Sequence, residues 1–205
     1  MMIKVKICGL MEPIHVLTAV DSGANAIGFV FAKSLRQVTV EQAKELATAV
    51  PSDVLKIGVF VNETLEEVER IAREVPLDVV QLHGDEDPDY ARRLSLPTIK
   101  ALSIKTAEDV QRATNYEVDY FLFDAPGDEF RGGSGHSFDW TILAKANIST
   151  DKVILAGGLT ETNIKEAINI VHPFMVDVSS GVETAQRKDV DKIRTFIRAV
   201  RDEER

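Results

Sequence analysis

Short apolar runs alternate along this chain with longer stretches whose apolar residues recur at helical spacing. The runs fall near Ile3–Ile7, Ala26–Phe31, Val54–Val61, Val79–Leu82, Thr98–Leu102, Tyr120–Phe123, Val153–Leu155 and Phe174–Val178. They are short and rich in β-branched or aromatic residues, and predict strands. Between them, Ala43, Leu46, Ala47 and Val50 form one amphipathic stripe, and Leu65, Val68, Ile71, Ala72 and Val75 another. Ile164, Ala167, Ile168 and Val171 mark a later helix, and Val190, Ile193, Phe196, Ile197 and Val200 the last. Start signals agree. Thr39 with Gln42 predicts a capping box, Pro13 and Pro88 suit first helical positions after Glu12 and Asp87, and Thr106 and Thr160 predict N-caps.

Eight strand–helix units within 205 residues predict one α/β domain, residues 1–205, folded as a compact (β/α)8 TIM barrel. An open, doubly wound sheet is the alternative, because local pattern does not report closure. No Pro/Gly/Ser-rich linker or charge block divides the chain. Pro126–Ser137 reads as a long, polar, glycine-rich loop after the sixth strand, of the kind that serves as a lid.

Composition then excludes whole classes of function. A net charge of −9 argues against binding nucleic acid by phosphate neutralisation. No apolar run approaches membrane-spanning length, and Met1–Lys6 lacks the apolar stretch of a signal peptide. Cys8 is the only cysteine, so neither an internal disulfide nor a cysteine-based metal cluster is available. The four histidines, His15, His83, His136 and His172, show no paired ligand spacing, and no metal is expected. These features predict a cytoplasmic enzyme or binding protein with neither nucleic-acid nor membrane partner.

Candidate chemistry sits where strands end. Cys8 follows the first strand and is itself followed by glycine. Arg36 lies in the loop after the second strand, Gln81 and His83 straddle the end of the fourth, Asp124 ends the sixth and Asp177 the eighth. Alone, each has a bland reading: a buried small hydrophobe for the cysteine, a solvated cation for the arginine, caps or turn residues for the aspartates. In a barrel they would ring one mouth. Cys8 and Asp124 are then candidates for the two halves of proton-transfer chemistry, one group taking a proton and the other giving one. Strand parity puts Lys4, Lys6 and Cys8 on one face and Ile3, Val5 and Ile7 on the other. Lys6 is thus either a paired interior lysine or a Schiff-base nucleophile, and Lys56 and Lys100 carry the same ambiguity. Gly157-Gly158 after the seventh strand and Ser180-Gly181 after the eighth predict a phosphate site, where backbone N–H groups can approach an anion. The bland alternative is a pair of tight turns. Gly132-Gly133-Ser134-Gly135 is a third glycine cluster, able to close over a ligand.

The whole chain resembles the phosphoribosylanthranilate isomerase family. The likeness rests on Val5-Lys6-Ile7-Cys8-Gly9, Gly28-Phe29-Val30-Phe31 with Ser34-Leu35-Arg36, Gly58-Val59-Phe60-Val61-Asn62 and Val80-Gln81-Leu82-His83-Gly84. It continues through Gly132–Gly135, Phe138-Asp139-Trp140, Ala156-Gly157-Gly158-Leu159 and Val176–Glu183. The resemblance implies an Amadori rearrangement in tryptophan biosynthesis, without cofactor, by a monomer or homodimer acting on a small phosphosugar. It implies Cys8 as base, Asp124 as acid, Arg36 on the anthranilate carboxylate and Asp177 on ribose hydroxyls. Lys6 would favour the thiolate. Three rivals share the fold: a histidine-pathway aminoaldose isomerase, which would carry an aspartate in place of Cys8, a lysine-dependent aldolase or synthase, which would need a Schiff-base or general-acid lysine at a strand end, and a non-catalytic phosphosugar-binding barrel.

Overall fold

Eight parallel strands pair in chain order, and the last pairs with the first, closing the sheet into a barrel. The computed structural model describes residues 2–126, 137–146 and 148–203. The strands are β1 (Lys4–Cys8), β2 (Ala26–Val30), β3 (Leu55–Phe60), β4 (Val79–Leu82), β5 (Thr98–Ser103), β6 (Tyr120–Asp124), β7 (Val153–Leu155) and β8 (Met175–Val178). Closure rests on the β1–β8 ladder, in which Lys4, Val5, Lys6 and Ile7 lie opposite Met175, Val176, Asp177 and Val178. That ladder settles the choice between barrel and open sheet. The helices are α1 (Pro13–Asp21), α2 (Val40–Ala47), α3 (Leu65–Glu74), α4 (Pro88–Arg92), α5 (Ala107–Gln111), α6 (Thr141–Ala144), α7 (Ile164–Val171) and α8 (Val190–Glu203).

Local chemistry explains most helix starts. Thr39 and Gln42 form a reciprocal capping box on α2, and Asp87 accepts from the Tyr90 N–H at the start of α4. Prolines open α1 and α4, where a missing N–H costs nothing, and Thr106 precedes α5. Thr160 does not cap a helix. Its N–H donates to Asn163 Oδ1, an intervening turn follows, and α7 begins only at Ile164. The Thr160 hydroxyl meets the Thr162 hydroxyl instead of accepting from a backbone N–H of the following turn, so the cap bond is not made.

Strand parity sorts the interior into two cores. Val5, Ile7, Phe29, Phe123 and Val176 belong to the larger core, beneath the helices. Ala26, Ile57, Val79, Ile99, Leu122 and Ile154 fill the barrel itself. Along β1, β4, β6 and β8 the inward positions beyond this plug turn polar: Lys6, Gln81, Asp124 and Asp177 are all buried. The barrel is therefore an apolar cylinder with a polar upper layer, and that layer floors the mouth. Lys56 and Lys100 have the opposite parity. Lys56 pairs with Asp78, and Lys100 pairs with Glu86 and lies over the Tyr116 ring, so neither belongs to the inner layer.

Between β8 and α8 the chain makes a small hairpin, β9 (Glu183–Thr184) against β10 (Arg187–Lys188). Its turn residues, Ala185 and Gln186, both adopt positive φ, as a tight hairpin turn of this hand requires. The hairpin places Glu183 and Lys188 side by side at the rim.

Candidate active site

At the C-terminal ends of the strands opens a cavity of about 320 Å³. Cys8, Arg36, Gln81, His83, Asp124 and Asp177 all line it, together with the glycine loops at 157–158 and 180–181. The glycine cluster 132–135 and most of the proposed lid fall outside the described residues. Cys8 is the last residue of β1, one step earlier than expected, and Asp177 lies within β8. The barrel brings β1, β6 and β8 to one rim although their sequences are far apart.

Asp124 is buried, and its carboxyl is pushed up to about 7. Burial is the main cause and the nearby Asp177 adds to it; the Ala125 N–H and Lys6 pull the other way. A carboxylic acid protonated near neutral pH can give up a proton to a substrate oxygen. His83 Nε2 stands 3.6 Å from Asp124 Oδ2.

Lys6 is the hub of the floor. Its ammonium donates to Gln81 Oε1 at 2.8 Å and to Asp177 Oδ2 at 2.9 Å. Burial pulls its pKa down, but Asp177 and Cys8 outweigh that and the net shift is upward. Lys6 is therefore a charged, paired lysine and not an amine nucleophile. Asp177 Oδ1 is buried with no hydrogen-bond partner among the described residues. An orphaned acceptor in a cavity wall is unfavourable unless a ligand hydroxyl meets it.

The Cys8 thiol is pushed up, first by burial and then by Asp177, against the pull of Lys6 and Lys188. Lys6 favours the thiolate, as the resemblance implies, but burial and Asp177 outweigh it. The lysine is already neutralised by Asp177, so burial prevails. Gly28, opposite Cys8 in the ladder, leaves room for the thiol: a Cβ there would lie 2.8 Å from the sulfur.

Arg36 is not a loose loop cation. Its Nε and Nη2 donate to the two carboxylate oxygens of Glu183 at 2.7 and 2.8 Å, a bidentate pair. That contact uses one edge of the guanidinium and leaves its Nη1/Nη2 edge for a second carboxylate. Glu183 is in turn bonded to Lys188, whose ammonium also reaches the Ser179 carbonyl. Sequence reasoning assigned no role to Glu183 or Lys188. The available hint was that Glu183 ends the Val176–Glu183 stretch on which the family likeness rests.

The two glycine loops are built together. Gly157 and Gly158 both have positive φ. A Cβ on Gly157 would lie 2.5 Å from the Ala125 nitrogen and 3.1 Å from Asp124 Oδ1, and one on Gly181 would strike the Leu159 carbonyl. These glycines therefore let the sixth, seventh and eighth loops touch, besides leaving backbone donors near the cavity. A substitution at Gly157 would disturb Asp124 directly.

Known proteins supply an independent comparison. The profile of the family described as N-(5′phosphoribosyl)anthranilate (PRA) isomerase matches residues 5–199. The N-(5′-phosphoribosyl)anthranilate isomerase of Bacillus mycoides is 49% identical over 200 residues, covering 97% of this chain and 98% of that one. The phosphoribosyl anthranilate isomerase of Thermotoga maritima has a solved structure with a TM-score of 0.90 and 38% identity, covering 98% of this chain and 100% of its own. An isomerase of the same name solved with reduced 1-(o-carboxyphenylamino)-1-deoxyribulose 5-phosphate gives a TM-score of 0.87, also at 38% identity and the same coverage. A closed barrel, a polar mouth built on Cys8 and Asp124, and relatives matched along nearly their whole length agree: the chain belongs to the N-(5′-phosphoribosyl)anthranilate isomerase family.

Proposed function

We propose that Cys8 and Asp124 carry out the aldose-to-ketose isomerisation of N-(5′-phosphoribosyl)anthranilate, a step of tryptophan biosynthesis. The observation that carries this assignment is a buried carboxyl held near 7 across one cavity from the chain's only thiol. Asp124 protonates the furanose ring oxygen, which opens the ring to a Schiff base between C1 and the anthranilate nitrogen. Cys8, as thiolate, removes the C2 proton. The electron pair moves to the nitrogen, giving an enolamine that tautomerises to the 2-ketone. The substrate's own nitrogen is the electron sink, so the chemistry calls for no cofactor. All of these side chains come from one barrel, so the machinery is complete within a single subunit. We place the reaction in the cytoplasm; among the described residues no helix is long and apolar enough to cross a membrane.

The rest of the cavity supplies binding. The N–H groups near Gly158 and Ser180 hold the phosphate, Asp177 Oδ1 accepts from a ribose hydroxyl, and the remaining edge of Arg36 takes the anthranilate carboxylate. Gln81 and His83 complete the wall beside Asp124. Turnover of freshly generated phosphoribosylanthranilate, followed by loss of its fluorescence, tests the assignment. Product formation supports it, and a folded protein that binds product but never turns over would leave only a phosphosugar-binding barrel.

Arg36→Met keeps the aliphatic stem and loses the fork. Losing a charged hydrogen bond costs about 1.5–3 kcal/mol, roughly tenfold to a hundredfold in affinity. The discriminating comparison uses a product analogue without its carboxylate. Wild type binds it more weakly than the complete analogue, and Arg36→Met barely distinguishes the two. If the variant keeps the full wild-type preference, another group binds the carboxylate.

A further inference from the structure

We propose that Glu183 is a positioning residue: seated on Lys188, it aims the guanidinium of Arg36 into the cavity and so sets the preference for a substrate whose arylamine carries a carboxylate. The proposal rests on the reading of Arg36 as the group that binds that carboxylate. The described lining of the cavity includes Arg36 but neither Glu183 nor Lys188. Both stand behind the arginine, with side chains only 6% and 4% exposed. Their hydrogen bonds run in one direction. The Lys188 ammonium has three hydrogens and three acceptors: the Ser179 carbonyl, the Ser179 hydroxyl and Glu183 Oε1. The Ser179 hydroxyl donates its own hydrogen to the Cys8 carbonyl. Glu183 Oε1 also accepts from Arg36 Nε, and Oε2 accepts from Arg36 Nη2. One carboxylate thus takes N–H groups from two cations, and one of those cations is anchored in the loop after β8.

The arginine stem is fixed as well. A Cβ on Gly9 would lie 2.6 Å from Arg36 Cδ and 3.1 Å from its Cβ, so the stem lies against bare backbone just after β1. With the stem on Gly9 and one guanidinium edge on Glu183, the direction of the other edge is set before substrate arrives. A free arginine would lose its rotamer freedom on binding. Here that freedom is already gone, and a ligand carboxylate meets a preorganised fork. Charge points the same way. Burial lowers the Lys188 pKa and Glu183 opposes it. All three hydrogens of the ammonium have acceptors, whereas a neutral amine would set its lone pair against one of them. Arg36 and Lys188 then bring two positive charges to the single negative charge of Glu183. The cluster keeps one positive charge in excess, and Arg36 is the member that reaches the cavity. Glu183 therefore orients the arginine without cancelling the cluster, and a ligand carboxylate balances it.

The test compares two ligands by calorimetry: the reduced product analogue, and a counterpart made with aniline in place of anthranilate, which lacks only the carboxylate. Wild type binds the complete analogue more tightly. In Glu183→Gln one acceptor oxygen becomes an NH2 that faces an N–H of Arg36, so the fork loses its aim. The preference for the complete analogue is expected to fall roughly tenfold, with affinity for the carboxylate-free counterpart little changed. A merely structural role would weaken both ligands alike and leave their ratio intact. In the Arg36→Met background, where the fork is gone, Glu183→Gln should alter the ratio no further. A second arm uses the ligand-free wild type. The Arg36 Nε–H signal in nitrogen NMR, assigned by its loss in Arg36→Met, should be protected from exchange with water. An unprotected signal overturns the proposal and needs no folded Glu183 variant. A wild-type ratio in Glu183→Gln, or an equal further loss in the Arg36→Met background, overturns it too. If Arg36→Met itself keeps the wild-type ratio, the reading of Arg36 falls and the positioning role falls with it.

Discussion

Asp124→Asn is expected to lose turnover by roughly a hundred- to ten-thousand-fold, the usual worth of a general acid, and yet to melt at a higher temperature than the wild type at pH 8. The two effects have one cause. The Asp124 carboxyl titrates at about 7 in the folded protein, against about 3.9 for an unfolded aspartate. A folded value above the unfolded one means that the native state binds the proton more tightly. The contribution to stability is most favourable below about pH 4, and it is lost progressively as pH rises through the folded value near 7. Three units at about 1.4 kcal/mol each amount to a penalty on the order of 4 kcal/mol for keeping the charged form buried at pH 8. Asparagine has the same shape and no charge to bury. The stability difference should therefore shrink as pH falls toward 4, where both side chains are neutral. Thermal unfolding at pH 4 and pH 8, beside the fluorescence assay, checks both halves. An active Asn variant would mean that Asp124 is not the acid, and one less stable than wild type at pH 8 would mean that its carboxyl is not held protonated.

Cys8→Ser is the second large effect. The serine hydroxyl occupies nearly the same volume but ionises far less readily than a thiol, so a base that works as an anion is effectively removed. Turnover should fall by roughly a hundredfold or more, while affinity for a reduced product analogue changes little, because no binding contact is assigned to the sulfur. Gly28 leaves room around the sulfur, so the fold should tolerate the change. Near-normal turnover in this variant would transfer the base to another group. Loss of analogue affinity in proportion to activity would mark the thiol as a packing element.

The barrel was legible because each of its elements carries its own signal. The apolar runs of β3, β4 and β7 are short and β-branched, and the stripes of α2, α3, α7 and α8 keep helical spacing. Closure was not legible, since it depends on β1 meeting β8 from opposite ends of the chain. The same limit hid the Lys6–Asp177 pair, which the register sets directly opposite each other across 171 positions. Without that pair in view, Lys6 looked free to stabilise a thiolate, whereas burial and Asp177 outweigh it at Cys8. Cys8, Asp124 and the glycine loops could be picked out because polar or glycine residues that end an apolar strand are conspicuous. Glu183 could not, because its meaning depends on Arg36 reaching it from the second loop. Thr160 misled because a threonine before a helical stripe has the same local signature whether it caps the helix or starts a turn closed by Asn163.

The pH dependence of kcat/KM in the wild-type protein tests the pairing of Cys8 and Asp124 most directly, because it reports the ionisation of the free enzyme's acid and base. The productive form needs Asp124 protonated and Cys8 ionised. Asp124 titrates at about 7, and burial holds the thiol above its ordinary value of 9.0. The account therefore predicts a bell with an acid limb near 7, a plateau on the alkaline side and a falling limb above about 9, with the productive form a minor species throughout. Asp124→Asn should abolish the limb near 7. A wild-type profile that peaks near pH 6 and falls through 7, or one that keeps its limb near 7 in Asp124→Asn, would contradict the assignment of acid and base.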